Sequence, residues 1–309
     1  MKILVTGGTG FLGQRVVEKL GKHKVTVFSR SMPTGSKKVS YVLGDITNPD
    51  ELEKAFPADV VIHLVATLDE YDSNLFQVNV DGTRNVIELC KKYKVKQLIH
   101  MSSTGALGAT KFAKEDSQRN PKTNYEKSKR DAEDVIINSG MNYTIVRAPV
   151  IFGPSKIWLD VIKAAEKGFP LIGSGSNHFH VAYVDDVASL IAKCIGNKKA
   201  YDQIFHVATS DTPTYREFYR MLCKSLGIEM TKKSLPVAAV RIFSTAHRIS
   251  SRLRGKKPKS IMEKSNIDRI ILDRTVSTRK IQTVLRFKPV TTKKAIGETV
   301  NYFKKSGLI

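Results

Sequence analysis

Apolar residues recur in two rhythms along the first half of the chain. Lys2-Ile3-Leu4-Val5-Thr6, Val25-Thr26-Val27-Phe28, Val39–Leu43, Val60–Leu64, Gln97–Met101 and Tyr143–Val146 are short, β-rich runs. Between them, residues 14–20, 49–56, 79–92 and 124–138 place apolar side chains at helical spacing, as Val16, Val17 and Leu20 do. The short runs suit strands buried in a sheet, and the helical spacing suits helices packed on one face. Strands alternating with helices over more than a hundred residues predict an α/β protein with a parallel, doubly wound sheet.

Composition narrows the class. The chain has 309 residues, 41% hydrophobic and 26% charged, enough for one large α/β domain or two smaller ones. Its longest uncharged apolar runs are strand-sized, and Met1-Lys2-Ile3-Leu4-Val5 leads straight into glycines, so neither a membrane span nor a secretory signal is expected. Cys90, Cys194 and Cys223 are far apart and odd in number, which argues against a disulfide framework or a metal site and for a reducing, cytoplasmic setting. The net charge of +22 is unevenly spread: residues 1–150 carry 22 Lys and Arg against 17 Asp and Glu, residues 151–215 carry 6 against 6, and residues 216–309 carry 23 against 6. Such a field attracts an anionic substrate, an anionic membrane or nucleic acid, or simply wets a surface.

Gly7-x-x-Gly10-x-x-Gly13 lies directly between the first strand and the first helix. A dinucleotide needs glycines there for a tight turn, for backbone approach to the pyrophosphate and for close helix–strand packing, with the helix N-terminus facing the phosphates. No Lys-Ser/Thr pair follows the last glycine, which disfavours a kinase-type phosphate loop. The second strand ends Phe28-Ser29-Arg30-Ser31, with Lys37 and Lys38 nearby and no carboxylate at the tip. A guanidinium there suits a 2′-phosphate, so NADP is the expected cofactor and NAD the alternative.

Tyr125 and Lys129 stand four residues apart on one face of the fourth helix. A fixed ammonium beside a phenol stabilises its phenolate and makes it a usable base. Upstream, a strand ends in His100-Met101-Ser102-Ser103-Thr104, where a hydroxyl can bind a reacting oxygen. His63 and His100 lie within strands and read as packed core residues rather than catalysts.

With these residues assembled, the chain resembles an extended short-chain dehydrogenase/reductase, a superfamily that includes nucleotide-sugar epimerases, dihydroflavonol reductases and 3β-hydroxysteroid dehydrogenases. The resemblance rests on Thr6–Gly13, Gly44-Asp45-Ile46, His63–Ala66, Asn79–Thr83, Ser102–Gly108, Tyr125 with Lys129, Arg147–Pro154, Val184–Ala188 and Thr278–Pro289. It implies a Rossmann domain over 1–150, rejoined by 184–208, and a smaller substrate lobe from 151–183 and 209–309. It implies Ser103, Tyr125 and Lys129 as the catalytic set. Cofactor contacts are implied for Gly7, Thr9, Gly10, Phe11, Leu12, Gly13, Ser29, Arg30, Asp45, Ile46, Leu64, Val65, Ala66, Asn79, Ser102, Tyr125, Lys129, Pro149, Val150 and Ile151.

Hydride transfer between NADP(H) and a secondary alcohol or ketone is the function the resemblance favours, on a small substrate that is anionic or lipid-like. A nucleotide-sugar epimerase or dehydratase with bound NAD is the alternative, although Ser265–Asp273 lacks the Arg-x-Gly-Asp stretch of many such members. A low-turnover cofactor-bound scaffold or nucleic-acid-binding protein is a third reading; an intact Ser103, Tyr125 and Lys129 and the single aromatic in 241–260, Phe243, weigh against it. After Leu235-Pro236, the positions Val240, Phe243, Ala246, Ile249 and Leu253 have helical spacing, interleaved with Arg241, Arg248, Arg252, Arg254, Lys256 and Lys257. That segment, 236–257, reads as a packed helix with a wet basic face, a lid, or a contact with an anionic membrane. Family members commonly pair through the helix bearing the Tyr–Lys set, so a homodimer is a further expectation.

Overall fold

In the computed structural model, residues 1–32, 39–254, 267 and 270–309 are described. Lys37, Lys38, Lys256 and Lys257 lie outside them, as does most of the stretch before Ile270. The strands β1 (Lys2–Thr6), β2 (Lys24–Ser29), β3 (Ser40–Leu43), β4 (Val60–His63), β5 (Gln97–Ser103), β6 (Tyr143–Ala148) and β10 (Gln203–His206) form one sheet. Its order is β10-β6-β5-β4-β1-β2-β3, and every pairing is parallel. This is the Rossmann, doubly wound arrangement expected from the alternating pattern.

Strand alternation divides the core. Val5, Val27, Ile62, Ile99 and Val146 face one side, where α1 (Phe11–Lys19) and α6 (Val184–Cys194) supply Leu12, Val16, Val187 and Ile191. Leu4, Phe28, Val61, Leu98 and Ile145 face the other, against Leu52 of α2 (Pro49–Glu53), Val86 and Cys90 of α3 (Gly82–Lys92) and Ile136 of α4 (Asn124–Ile137). Strands covered on both faces must be apolar at nearly every position, which is why Val60–His63 is wholly buried.

Two elements differ from expectation. Helix α1 starts at Phe11 rather than near Gln14, because Gly10 is the extended N-cap and the glycine motif runs into the first helical turn. The helix expected from residue 79 begins as a wide π-turn, Gln77–Asp81, before α3 proper; such turns carry an extra residue and re-aim side chains.

After β6 the chain leaves the sheet. β7 (Val150–Phe152) pairs with β9 (Val181–Tyr183), and β8 (Leu171–Ile172) with β11 (Ser234–Leu235). Around them stand α5 (Lys156–Glu166), α7 (Tyr215–Leu226), α8 (Val237–Leu253) and the helices Arg279–Val284 and Thr292–Lys305. Phe152, Trp158, Phe179 and Phe218 knit this layer edge to face, with ring centroids 4.7 Å apart for Phe152–Trp158 and 4.9 Å for Phe179–Phe218. The same apolar cluster continues into the sheet, so the two layers share one core.

Candidate active site

Chain crossovers leave β1 and β4 toward opposite faces, which opens a crevice at the carboxyl ends of these neighbours. Gly7 enters it with φ +76°, a left-handed conformation that glycine adopts without penalty, and its N–H donates to Phe28 O at 2.8 Å. A Cβ on Gly13 would stand 2.2 Å from Gly7 O and 2.7 Å from Gly8 Cα, so only glycine lets α1 press against the turn. Gly10 places no side chain over the α1 N-terminus. The first-turn amides, those of Phe11 and Leu12 included, are therefore open to an anion.

The other candidate binding residues ring this turn. A Cβ on Gly7 would lie 3.1 Å from Val65 N, which brings Leu64, Val65 and Ala66 alongside. A Cβ on Gly153 would lie 3.3 Å from Phe11 Cζ, so the chain that leaves β7 meets the start of α1. Thr9 lies within the turn, its carbonyl accepting from Gln14 Nε2 at 2.9 Å. At the β2 tip, Ser29 Oγ donates to Ser31 O at 2.7 Å while Arg30 is exposed. Asp45 accepts from Thr47 N at 2.9 Å and Thr47 Oγ1 at 2.8 Å. Those bonds hold its carboxyl below the usual range, and the Arg30 charge adds to them. Ile46 is buried under Gly82, where a Cβ would meet Ile46 Cγ2 at 2.9 Å.

Asn79, aimed inward by the π-turn, is a clamp. Its Oδ1 accepts from Thr67 N at 2.8 Å, and its Nδ2 donates to Thr67 O at 3.1 Å and Ser128 Oγ at 2.9 Å. One amide thus ties the loop after β4 to α4, the helix carrying Tyr125 and Lys129. Thr123 and Glu126 cap that helix reciprocally, fixing the turn on which Tyr125 sits half-buried. One turn on, Lys129 is buried, donates to Met101 O at 2.8 Å, and has its pKa lowered to about 8 by loss of hydration, partly offset by Glu133.

Ser103 ends β5, and its Oγ accepts from Gly105 N at 3.0 Å, leaving its own proton for a substrate oxygen. A Cβ on Gly105 would lie 3.2 Å from both Ser103 Oγ and Glu126 Cγ, so this turn abuts the start of α4. Ser103, Tyr125 and Lys129 are thereby brought to one end of β5. Ser102 points elsewhere: its Oγ donates to Glu133 Oε1 at 2.5 Å.

Below the site lies a layer that the sequence reading did not single out. Glu133, fully buried, accepts from Arg147 Nε at 2.8 Å and Nη2 at 2.7 Å, a bidentate pair. Two signals point to it: Glu133 shares a helix face with Lys129, and Arg147 is the lone charge in an apolar strand. His63 and His100 are buried core residues, as their strand context suggests, with ring centroids 5.1 Å apart. Thr83 Oγ1 already donates to Asn79 O, so it accepts from His63 Nε2–H, and His63 Nδ1 accepts from Thr6 Oγ1 at 2.7 Å. Burial, and then the Lys129 charge, lowers the His63 pKa to about 3 and pushes that of His100 well down, so both rings are neutral.

A second unpredicted residue is Arg274, from the basic C-terminal third. Its Nη1 reaches Glu126 Oε1 at 2.5 Å, next to Tyr125. No group of described residues could hold a metal ion, and no helix among them is long and apolar enough to cross a membrane.

The family profile described as the NAD dependent epimerase/dehydratase family matches residues 3–208. The chain belongs to this family. Within it, 3beta-hydroxysteroid-dehydrogenase/decarboxylase isoform 1 of Arabidopsis thaliana is 28% identical, over 93% of this chain and 76% of that protein. The decarboxylating sterol-4-alpha-carboxylate 3-dehydrogenase of Saccharomyces cerevisiae is 30% identical, over 69% of this chain and 72% of that protein. Among solved structures, UDP-glucose 4-epimerase of Thermotoga maritima superposes with TM-score 0.79 at 22% identity, covering 99% of both chains. Membership makes the chain an NAD-dependent enzyme of the extended short-chain dehydrogenase/reductase type. The cradle fits the family cofactor on its own terms, since the side-chain-free N-terminus of α1, held close against the turn by Gly13, is what a pyrophosphate requires.

Proposed function

We propose that this family member interconverts a secondary alcohol and a ketone, with NADP(H) preferred over NAD(H). Tyr125 gives a proton to, or takes one from, the substrate oxygen, and Ser103 donates a hydrogen bond to that same oxygen. Lys129 supplies a positive charge one helical turn away that favours the phenolate, and Asn79 with Thr67 and Ser128 holds α4 in register. The bound nicotinamide supplies the hydride acceptor or donor. The observation carrying this reading is the convergence of Ser103, Tyr125 and the buried Lys129 at the end of β5. Residues 1–150 with 184–208 form the cofactor domain in this reading, and 151–183 with 209–309 the substrate lobe.

Arg30 supports the NADP(H) preference, being exposed at the β2 tip where a 2′-phosphate would lie. The preferred substrate is a small, apolar alcohol bearing an acidic group, which suits the basic C-terminal third and the sterol-carboxylate chemistry in the name of the yeast relative. Arg274 beside the Tyr125 turn also suits a nucleotide-sugar diphosphate, and this favours epimerisation with retained NAD as the second reading.

The deciding experiment is mass spectrometry of nucleotide released from freshly purified, denatured protein, followed by titration with NADPH and NADH. An empty protein that binds NADPH more tightly, with Arg30→Ser reducing that preference roughly tenfold, is the expected result. Stoichiometric NAD(H) would favour the epimerase and overturn the inference from Arg30, because an epimerase returns its hydride to the same substrate.

A further inference from the structure

We propose that the outward face of α8 is a docking surface for an anionic phospholipid membrane. The helix packs on the body through Ser244, which is buried, and through the half-buried Val237, Val240 and His247. Val237 Cγ2 lies 3.0 Å from the position of a Cβ on Gly173, which anchors the helix start. The opposite stripe is Ala238, Ala239, Ile242, Ala246 and Ile249, all exposed. Ile242 is 71% exposed, Ile249 54% and the flanking Phe243 56%. Amphipathic helices of soluble proteins turn their apolar stripe toward the core, whereas this one turns it outward.

Charge selects the occupant. Between Glu229 and Glu263 the sequence has no Asp or Glu and nine Lys and Arg. Lys232, Lys233, Arg241 and Arg254 of that stretch are exposed. A second copy of the chain would bring the same positive field against this face and be repelled. Nucleic acid would neutralise the bases but leave Ile242, Phe243 and Ile249 in water, since its affinity comes from phosphate contacts. An anionic lipid surface satisfies both, with the apolar stripe entering the headgroup boundary and the bases meeting lipid phosphates. At 17 residues with interspersed arginines, α8 lies in the interface plane rather than crossing it. This inference is independent of the substrate reading.

The test is co-sedimentation of the full chain with vesicles of phosphatidylcholine alone or mixed with phosphatidylserine. Binding to the mixed vesicles is expected, falling by roughly tenfold or more on neutral vesicles or at raised salt. The double variant Ile242→Ser/Ile249→Ser, which leaves the charge unaltered, should lose binding by a similar factor while its melting temperature and NAD(P)H binding stay unchanged. Absence of binding to mixed vesicles overturns the proposal. Unchanged binding by the double variant does so as well, because it would leave surface charge alone as the cause. Light scattering that shows a dimer which the double variant dissociates, with no vesicle binding, would assign the face to a second copy instead.

Discussion

The carboxyl edge of the sheet and the C-terminal third use charge in opposite ways. At the sheet edge, Glu133, Arg147 and Lys129 are buried and each has a fixed partner, 2.5–2.8 Å away; the Glu133–Arg147 pair compensates its own desolvation, while Lys129 is left with a lowered pKa. In residues 216–309 the 23 Lys and Arg outnumber the 6 Asp and Glu, and many of the bases, such as Arg220, Lys232 and Lys233, are exposed. Buried charges fix geometry because leaving one unpaired is costly. Exposed ones act at a distance and set which molecules approach. Arg274 joins the two regimes, reaching from the basic third to the helix that carries Tyr125.

The largest effect should come from the sheet edge. Tyr125→Phe is expected to lower kcat roughly a hundredfold to ten-thousandfold while leaving NAD(P)H binding intact, as steady-state rates and cofactor fluorescence would show. Retained turnover would remove the phenol from the chemistry. Next, Glu133→Ala leaves the Arg147 charge buried without its carboxylate and should cost about 3–5 kcal/mol in urea unfolding. A cost near that of an exposed ion pair would erase the contrast between the two regions.

Lys129 sharpens the contrast through pH. Its folded pKa, about 8, lies below the unfolded 10.5, so between those values the unfolded chain binds more protons and stability rises with pH. Below about pH 8 the full penalty of a buried ammonium applies, on the order of 3 kcal/mol. Thermal melts of the cofactor-free protein should show the wild type gaining stability relative to Lys129→Met between about pH 8 and 10.5, a difference in which the opposing pull of the burial-raised Cys90, Cys194 and Cys223 thiols cancels. The smallest effect belongs to the basic third. Arg274→Ala should raise the substrate KM about tenfold, about 1.4 kcal/mol, with cofactor affinity unchanged. A fall in cofactor affinity instead would place Arg274 with the cradle.

Much of the fold was legible because its signals are local. A strand, three spaced glycines and a helix lie within the first twenty residues, and the Tyr125–Lys129 spacing lies on one helix. The buried layer was less legible, because Glu133 and Arg147 become partners only when α4 packs on β6. Ser102 reads as one more hydroxyl beside Ser103, and strand alternation alone sends the two to different neighbours. Arg274 was illegible for the same reason at greater range: 148 residues separate it from Glu126. The outward stripe of α8 kept its helical period in sequence, but periodicity does not say which face meets the protein.

The return of the chain to the sheet has a consequence for fragments. β10 covers the flank of β6, pairing Gln203–His206 with Thr144–Arg147. Were the chain cut before that strand, β6 would present a bare row of amides and carbonyls bordered by Ile145 and Val146, a template for strands of other molecules. Gln203–His206, contributed after the chain has built β7 to β9 and α6, moves that edge outward to β10, where Glu115 Oε1 accepts from His206 N at 3.0 Å and blunts it.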